Sequence, residues 1–237
     1  MRINVYISSK GICSRREADR LIQAGKVTIN DRLAGIGDDV APTDSVKVHG
    51  AEIPKSVQPV YILFHKPRGI ETITDRSKPD NIIDYLDYPE RIFPVGRLDK
   101  DSSGLILLTN DGQIVNRILR QENNHEKEYL VRVDKPIDAR FLKQMQQGVD
   151  IYNPVRHRRE TTKPCRAWKI GPKQFRIVLI QGLNLQIRRM AKALGYRVME
   201  LERTRIMHLD GAGLLVGKWR YLTQTETEIL FQNLSSK

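Results

Sequence analysis

Gly96-Arg97-Leu98-Asp99-Lys100-Asp101-Ser102-Ser103-Gly104 runs directly into Leu105-Ile106-Leu107-Leu108. An unbroken apolar run after a Gly- and Ser-rich turn reads as a short buried strand, so residues 104–108 are expected as a strand and the polar stretch ahead of it as a loop. Asp99 and Asp101 then project from a rigid support. Loops held in this way carry function, because the scaffold fixes geometry while the loop supplies polar groups; the same residues also make an ordinary solvated turn. Working outward, strand-like runs stand at 60–64, 128–133, 174–180 and 196–201. Helical segments stand at 80–86, 113–119, 138–147, 185–194 and 224–234, the last opened by Thr223-x-x-Glu226. Strands and helices interleave without a regular βαβ rhythm or a G-x-G-x-x-G fingerprint. The expected fold class is therefore α+β with a mostly antiparallel mixed sheet.

The first fifty or so residues form a separate pattern. Ile3 and Ile7 are spaced for one helical face, with Gly11 as a stop. Ser14-Arg15-Arg16-Glu17 reads as a capping box, with Ala18, Leu21 and Ile22 as the apolar stripe behind it and Gly25 as terminator. Arg15, Arg16 and Arg20 lie on the polar side of this helix and Lys26 follows, giving one cationic edge. Val27 and Ile29, then Val46 and Val48, alternate as half-buried strands, with turns at Asn30-Asp31 and Pro42-Thr43-Asp44. The stretch from Gly50 to Pro59 holds two prolines and little pattern and is expected to be a linker. The chain is accordingly divided into a small module, residues 1–57, and a larger domain, residues 58–237.

Composition narrows the partners. Of 237 residues, 40 are Lys or Arg and 28 Asp or Glu, a formal net charge of +12. That excess points to a polyanion, and 40% apolar content supplies a buried core, so a folded nucleic-acid-binding protein is favoured over a disordered basic one. Cys13 and Cys165 are far apart and form no C-x-x-C pair, which excludes a zinc ribbon or disulfide framework and suits a reducing cytoplasm. The N-terminal stretch is broken by Asn4, Ser8, Ser9 and Lys10 before an apolar run forms, so no secretory signal is expected. No run approaches the roughly 20 apolar residues of a membrane helix.

Three other features carry possible chemistry. In Gln181-Gly182-Leu183-Asn184-Leu185-Gln186-Ile187-Arg188-Arg189-Met190 a strand end runs into a helix with two early arginines, which oppose the helix dipole and ask for an anionic partner unless they simply face solvent. Basic residues continue through Lys192, Arg197, Arg203, Arg205, Lys218 and Arg220, read as a phosphate-contacting stripe. Tyr129 in Lys127-Glu128-Tyr129-Leu130-Val131 stands in a strand with Leu130 on the opposite face, and alone reads as a core tyrosine. The histidines share no metal spacing, and His65 beside Lys66-Pro67 reads as structural. Asp99 and Asp101, one residue apart, also match a divalent-cation pair as in a metal-dependent nuclease, and the charge alone suits a non-catalytic RNA-binding factor.

Taken together, the motifs resemble one group of ribosomal pseudouridine synthases, which comprises type A of the small ribosomal subunit with types B, E and F of the large one. Lys66-Pro67-x-Gly69 with Thr72, Gly96-Arg97-Leu98-Asp99 with Ser102 and Gly104 to Gly112, Lys127 to Leu130, and Gln186 to Met190 match that group's motifs in order. The N-terminal module is similar to the alpha-L RNA-binding domain first seen in the fourth ribosomal protein of the small subunit. Residues 124–129, 181–184 and 201–207 look most similar to type F. His65, Glu71 and Leu185 depart from the pattern. The resemblance implies isomerisation of a uridine to pseudouridine in 23S ribosomal RNA, with a transfer RNA as a further target, and no cofactor or metal. It implies Asp99 as nucleophile or base, Arg188 as the cation that keeps Asp99 charged, and Tyr129 against the uracil and in proton removal. Arg97 would fill the space left by the flipped base, while Lys66, Arg189, Arg15, Arg16 and Arg20 contact RNA. A cytoplasmic monomer is expected.

Overall fold

The computed structural model describes residues 1–119 and 124–235. The chain forms two compact units: residues 1–60 with 88–93 and 109–113, and residues 61–87, 94–108 and 114 onward.

In the first unit α1 (Ile3–Ser9) and α2 (Arg15–Gln23) precede a four-stranded sheet of β1 (Val27–Ile29), β2 (Arg32–Leu33), β3 (Val46–Val48) and β4 (Ala51–Glu52), in the order β2-β1-β3-β4. Ile3, Ile7, Ala18, Ile22, Val27, Ile29, Val46 and Val48 form its core, as their spacing requires. The Ser14 hydroxyl caps α2 by accepting the Glu17 N–H at 3.1 Å. Only that half of the expected box forms, because the Glu17 carboxylate turns to Arg20 at 2.9 Å. The β1–β2 turn is made by Asn30 and Asp31, both at positive φ, and the Asn30 side chain braces it by bonding Asp44 and the Ser45 N–H. The linker expected from Gly50 is shorter than foreseen. Ala51–Glu52 pairs with β3, and buried Ile53 donates its N–H to Val46 O and joins this core. A paired strand of two residues is too short to show periodicity, which is why the stretch reads as linker.

The second unit is built on β5 (Tyr61–Lys66), α3 (Ile82–Leu86), β6 (Phe93–Val95), β7 (Ser103–Thr109), α4 (Gly112–Leu119), β8 (Lys127–Val133) and α5 (Ala139–Gln147). These are followed by β9 (Asp150–Asn153), β10 (Arg158–Thr161), β11 (Arg166–Gly171), β12 (Gln174–Leu179), α6 (Gln186–Ala193), β13 (Val198–Ile206), β14 (Leu209–Asp210), β15 (Trp219–Tyr221) and α7 (Gln224–Ser235). The main sheet runs β11-β12-β8-β13-β7-β5-β15. Pairs β11/β12, β12/β8, β8/β13 and β5/β15 are antiparallel, and β13/β7 is parallel. The architecture is the α+β mixed sheet expected, with β9 and β10 as a separate hairpin.

Two cores flank this sheet. One packs Phe141 and Met145 of α5 and Ile187, Met190 and Ala191 of α6 against Val131, Val133, Phe175, Ile177 and Leu201. The other packs Ile114, Ile118, Leu230 and Leu234 against Leu63, Leu105 and Leu107. At α7 the capping box is complete: Thr223 Oγ1 accepts the Glu226 N–H (3.2 Å) and Glu226 accepts the Thr223 N–H (2.8 Å). The strand expected at 196–201 begins at Val198 and continues to Ile206. Arg203 and Arg205 hide its later half from a search for apolar alternation, just as charge hides β10 and β11. No helix among the described residues is long and apolar enough to cross a membrane.

Candidate active site

Asp99 lies in the loop between β6 and β7, and that loop is clamped from its base. Buried Ser102 closes the turn by donating its N–H to Asp99 O at 3.0 Å. From the segment after β5, the Thr72 hydroxyl donates to Leu98 O (2.7 Å) and accepts the Leu98 N–H (3.2 Å). Gly69, at φ +91°, donates its N–H to Lys100 O at 2.8 Å. Lys66 is fully buried, and its Nζ donates to Pro67 O and Ile70 O, both at 2.8 Å, which folds the clamp back on itself. Burial pushes the Lys66 ammonium down to about 8, against the opposing pull of Asp99 and Asp101. Lys66 thus sits behind the loop as a buried cation.

The Gln181–Met190 motif forms a second wall. Leu185, at φ +52°, turns the chain into α6. Buried Gln186 accepts the Leu183 N–H (3.0 Å) and donates to Gln181 Oε1 (3.3 Å), which also accepts the Lys163 N–H (3.0 Å). The two arginines do find partners, although the partners are neutral oxygens rather than the expected anions. Arg188 donates to Asp101 O (3.0 Å), Ser102 Oγ (3.4 Å) and Val198 O (3.3 Å). Arg189 donates to Asn184 Oδ1 (2.9 Å) and Tyr152 O (2.5 Å). The Arg188–Asp99 ion pair implied by the resemblance is not among the ion pairs of the described residues. From α6 the guanidinium meets the backbone two residues past Asp99, so it braces the loop rather than pairing with the carboxylate.

The floor is one face of the sheet. Strand alternation sets Lys127, Tyr129 and buried Val131 on the same side of β8, and Arg203 of β13 stands in register with Tyr129. Arg203 is 4% exposed; its Nε donates to Leu105 O (2.7 Å) and its Nη1 to Arg97 O (3.4 Å). Gly104 makes this possible. At φ +110° a Cβ there would stand 2.3 Å from Arg203 O and 2.4 Å from Arg203 N, so only glycine lets β7 and β13 come this close. The three elements enclose a cavity of about 490 Å³ whose lining includes Arg97, Asp99, Lys127, Tyr129, Gln186 and Arg203, with leucine and isoleucine side chains between them. Lys127, half-buried near Arg203, is held down to about 8 by desolvation first and by the Arg203 charge second.

Of the residues singled out in the sequence, the cavity therefore brings together Asp99, Tyr129 and Arg97. Arg188 and Arg189 line the neighbouring groove of about 980 Å³ with Arg159 and Lys192. Arg15, Arg16 and Arg20 are exposed on α2 of the other unit. The supposed C-terminal basic stripe breaks up: Arg203 is buried, Arg205 is bound to Glu126 and Glu128, and Arg220 to Glu226. Alternation within β13 explains this, since Arg203 shares the inward face with Leu201. His65 is structural, with Nδ1 3.0 Å from Leu214 O and Nε2 3.4 Å from Glu202. No cluster of three or more His, Cys, Asp or Glu side chains suited to a metal occurs among the described residues. Lys127 and Arg203 were not singled out as site residues; the signal for each was a charge on the buried face of an alternating strand.

A family model described as RNA pseudouridylate synthase matches residues 60–193, and an S4 domain model matches residues 1–46. The dual-specificity RNA pseudouridine synthase RluF of Escherichia coli (strain K12) is 52% identical over 234 residues, covering 98% of this chain and 79% of the relative. The chain belongs to the RNA pseudouridine synthases. Ribosomal large subunit pseudouridine synthase B of Bacillus subtilis (strain 168) is 33% identical over 238 residues, covering 97% and 95% of the two chains. A crystal structure of a pseudouridylate synthase superposes with a TM-score of 0.70 at 28% identity, covering 97% and 99%. As a pseudouridine synthase, the protein is an RNA-modifying isomerase, and the F-type likeness seen in residues 124–129, 181–184 and 201–207 agrees with the RluF match. The synthase match covers β5 to α6, with Asp99 and Tyr129, while Arg203 on the cavity floor lies beyond it in β13.

Proposed function

We propose that this synthase isomerises a specific uridine in structured RNA, 23S ribosomal RNA first and a transfer RNA second, in keeping with the dual specificity named for its RluF relative. The observation that carries the reading is the meeting of Asp99, Tyr129 and Arg97 at one apolar-walled cavity. Asp99 initiates the reaction at the ribose, either by attack on C1′ or by taking the C2′ proton. Tyr129 lies flat against the uracil, its ring supplying apolar area and its hydroxyl a polar tip for removal of the C5 proton. A base inside folded RNA must leave its stack, at a cost of roughly a few kcal/mol, and Arg97, exposed at the cavity mouth, takes the space it leaves. Arg188 positions the Asp99 loop through Asp101 and Ser102. Residues 1–57, with Arg15, Arg16 and Arg20, supply RNA affinity, residues 58–237 supply the chemistry, and Lys66 and Arg189 support the RNA-facing loops. The enzyme acts in the cytoplasm as a monomer on its large RNA partner and needs no cofactor.

The test is mass-shift mapping of pseudouridine in 23S, 16S and transfer RNA from cells carrying the wild-type gene, no gene, or Asp99→Asn. Loss of one site in 23S RNA in both the deletion and the variant is expected, with RNA affinity of the purified variant within about threefold of wild type because shape is kept. An unchanged map in every RNA pool would move the protein to a non-catalytic assembly role.

A further inference from the structure

The cavity contains more positive charge than an aspartate requires. Among its described lining residues, Asp99 is the sole acid, against Arg97, Lys127 and Arg203. The Arg203 guanidinium is buried, yet its Nη2 has no hydrogen-bond partner among the described residues. Among the described residues its other bonds go to the carbonyl oxygens of Leu105 and Arg97, and no carboxylate pairs with it. A charged donor buried without a partner is costly, and such groups persist where a ligand completes them. Lys127 is half-buried on the same side, and its Nζ makes one hydrogen bond among the described residues, to His125 O at 3.1 Å, which leaves donor capacity for a ligand.

We propose that Lys127 and Arg203 form an anion hole for the uracil, receiving the negative charge that passes to the base when its bond to the ribose breaks. In this step the N1–C1′ bond cleaves and its electron pair stays with uracil, where it spreads from N1 to O2 and O4. The ribose carbon is captured by the Asp99 carboxylate, or becomes part of a double bond to C2′ once Asp99 has taken that proton. The base then turns and C5 bonds to C1′ as the ester bond between Asp99 and C1′ breaks or, on the other route, as Asp99 returns its proton to C2′. The C5 proton is then removed beside the Tyr129 hydroxyl and N1 takes one up, which gives the neutral product. From cleavage of N1–C1′ until C5 bonds to C1′ the base is anionic or nearly so, and fixed donors aimed at it in a dry site stabilise the transition states on either side.

Placement favours the base over a backbone phosphate. Both cations rise from the same sheet face as Tyr129, one two residues before it on β8 and the other in register with it on β13, so a ring lying on Tyr129 has its carbonyl edges beside them. Most of the remaining wall is leucine and isoleucine, with the neutral Ser102, Gln181, Asn184 and Gln186 as its polar groups, which suits a flat heterocycle better than a charged tetrahedral phosphate. Gly104 serves the same end, since its missing Cβ lets the Arg203 backbone approach β7 and the side chain reach Leu105 O.

This inference rests on the uridine reading of the Asp99 cavity, and the experiment separates the two. Full-length 23S RNA transcripts are made with uridine or with 5-fluorouridine throughout, and single-turnover rearrangement at the target site is measured with the complete chain by digestion and mass spectrometry. With fluorine at C5 no C5 proton can leave, so the product counted there is the carbon-linked base that keeps its fluorine and has added water across N1=C6. Fluorine at C5 makes the departing base a more stable anion, so an enzyme deprived of anion stabilisation recovers on that substrate. Lys127→Met, which keeps the length of the side chain, is expected to lose on the order of 10²-fold on uridine, the scale of one lost oxyanion donor, and at least about tenfold less on 5-fluorouridine. Arg203→Lys, which keeps charge while shortening the reach, is expected to show the same relative rescue. Equal losses on both substrates would overturn the proposal and leave a structural role; weaker RNA binding at an unchanged single-turnover rate would overturn it in favour of a phosphate contact. Wild-type-like turnover by Asp99→Asn would instead overturn the underlying site reading.

Discussion

Replacing Gly104 with alanine tests the geometry on which the site depends. The new methyl carbon would sit 2.3 Å from Arg203 O, 2.4 Å from Arg203 N and 2.8 Å from Arg203 C. All three are backbone atoms of the parallel neighbour β13, so no side-chain rotation relieves the overlap. Ordinary contact between such atoms is roughly 3.5 Å, so the strands must separate by about 1 Å at the point where Gly104 faces Arg203. Overpacking of this kind costs about 1–3 kcal/mol. The φ of +110° adds about 1–3 kcal/mol of strain for a residue with a Cβ, while the stiffer unfolded chain returns about 0.4–1 kcal/mol. Gly104→Ala should therefore destabilise the protein by about 1–6 kcal/mol. Urea unfolding followed by the fluorescence of Trp168 and Trp219, both in the second unit, reads the change. Activity should fall more than stability predicts, because the moved strand carries the Asp99 loop at one end and releases the Arg203 bond to Leu105. A stability change below about 1 kcal/mol with normal turnover would refute the argument that the β7–β13 approach is required.

Other substitutions probe the supports. Thr72→Val keeps shape but removes both hydrogen bonds to buried Leu98; it should cost about 2–4 kcal/mol and lower kcat with RNA affinity retained, and an unchanged kcat would remove Thr72 from the positioning of Asp99. At the start of α7, hydrogen bonding from Arg220 chiefly, aided by the Thr223 N–H, holds the Glu226 carboxyl down to about 2. A carboxylate depressed in the folded state adds stability above its ordinary value, and this is lost as pH falls through the folded value. Glu226→Gln should therefore be less stable than wild type at neutral pH by about 1–2 kcal/mol after solvent screening, with the gap closing as acid approaches about pH 2; a gap independent of pH in thermal unfolding would contradict this. Arg188→Ala should lower turnover by loosening the loop at Asp101 and Ser102, and Arg188→Lys should restore part of it, whereas equal rates for wild type and Arg188→Ala would free the loop from α6.

Much of this was legible from residue order alone. The apolar run at 105–108 behind a Gly-Ser turn determines a buried strand with Asp99 on the loop before it, because burial and turn chemistry are local properties of neighbouring residues. Ser14, Gly25, Asn30-Asp31 and Thr223-x-x-Glu226 act through bonds spanning a few residues, and the structure shows the helix ends and turn where they are expected. The excess of basic residues over acidic ones is likewise a property of composition. Tertiary structure alone decided what the charges do. Arg188 and Asp101 lie 87 positions apart, and Arg203 and Leu105 98 apart, so no local pattern could say that one arginine braces a loop and the other lies buried over a glycine. Arg203 reads as part of a phosphate-contacting stripe and Lys127 as one residue of the Tyr129 segment until the pairing of β8 with β13 puts them on one face with Tyr129. A charge acts over distance through whatever stands around it, and its surroundings are set only when distant strands meet.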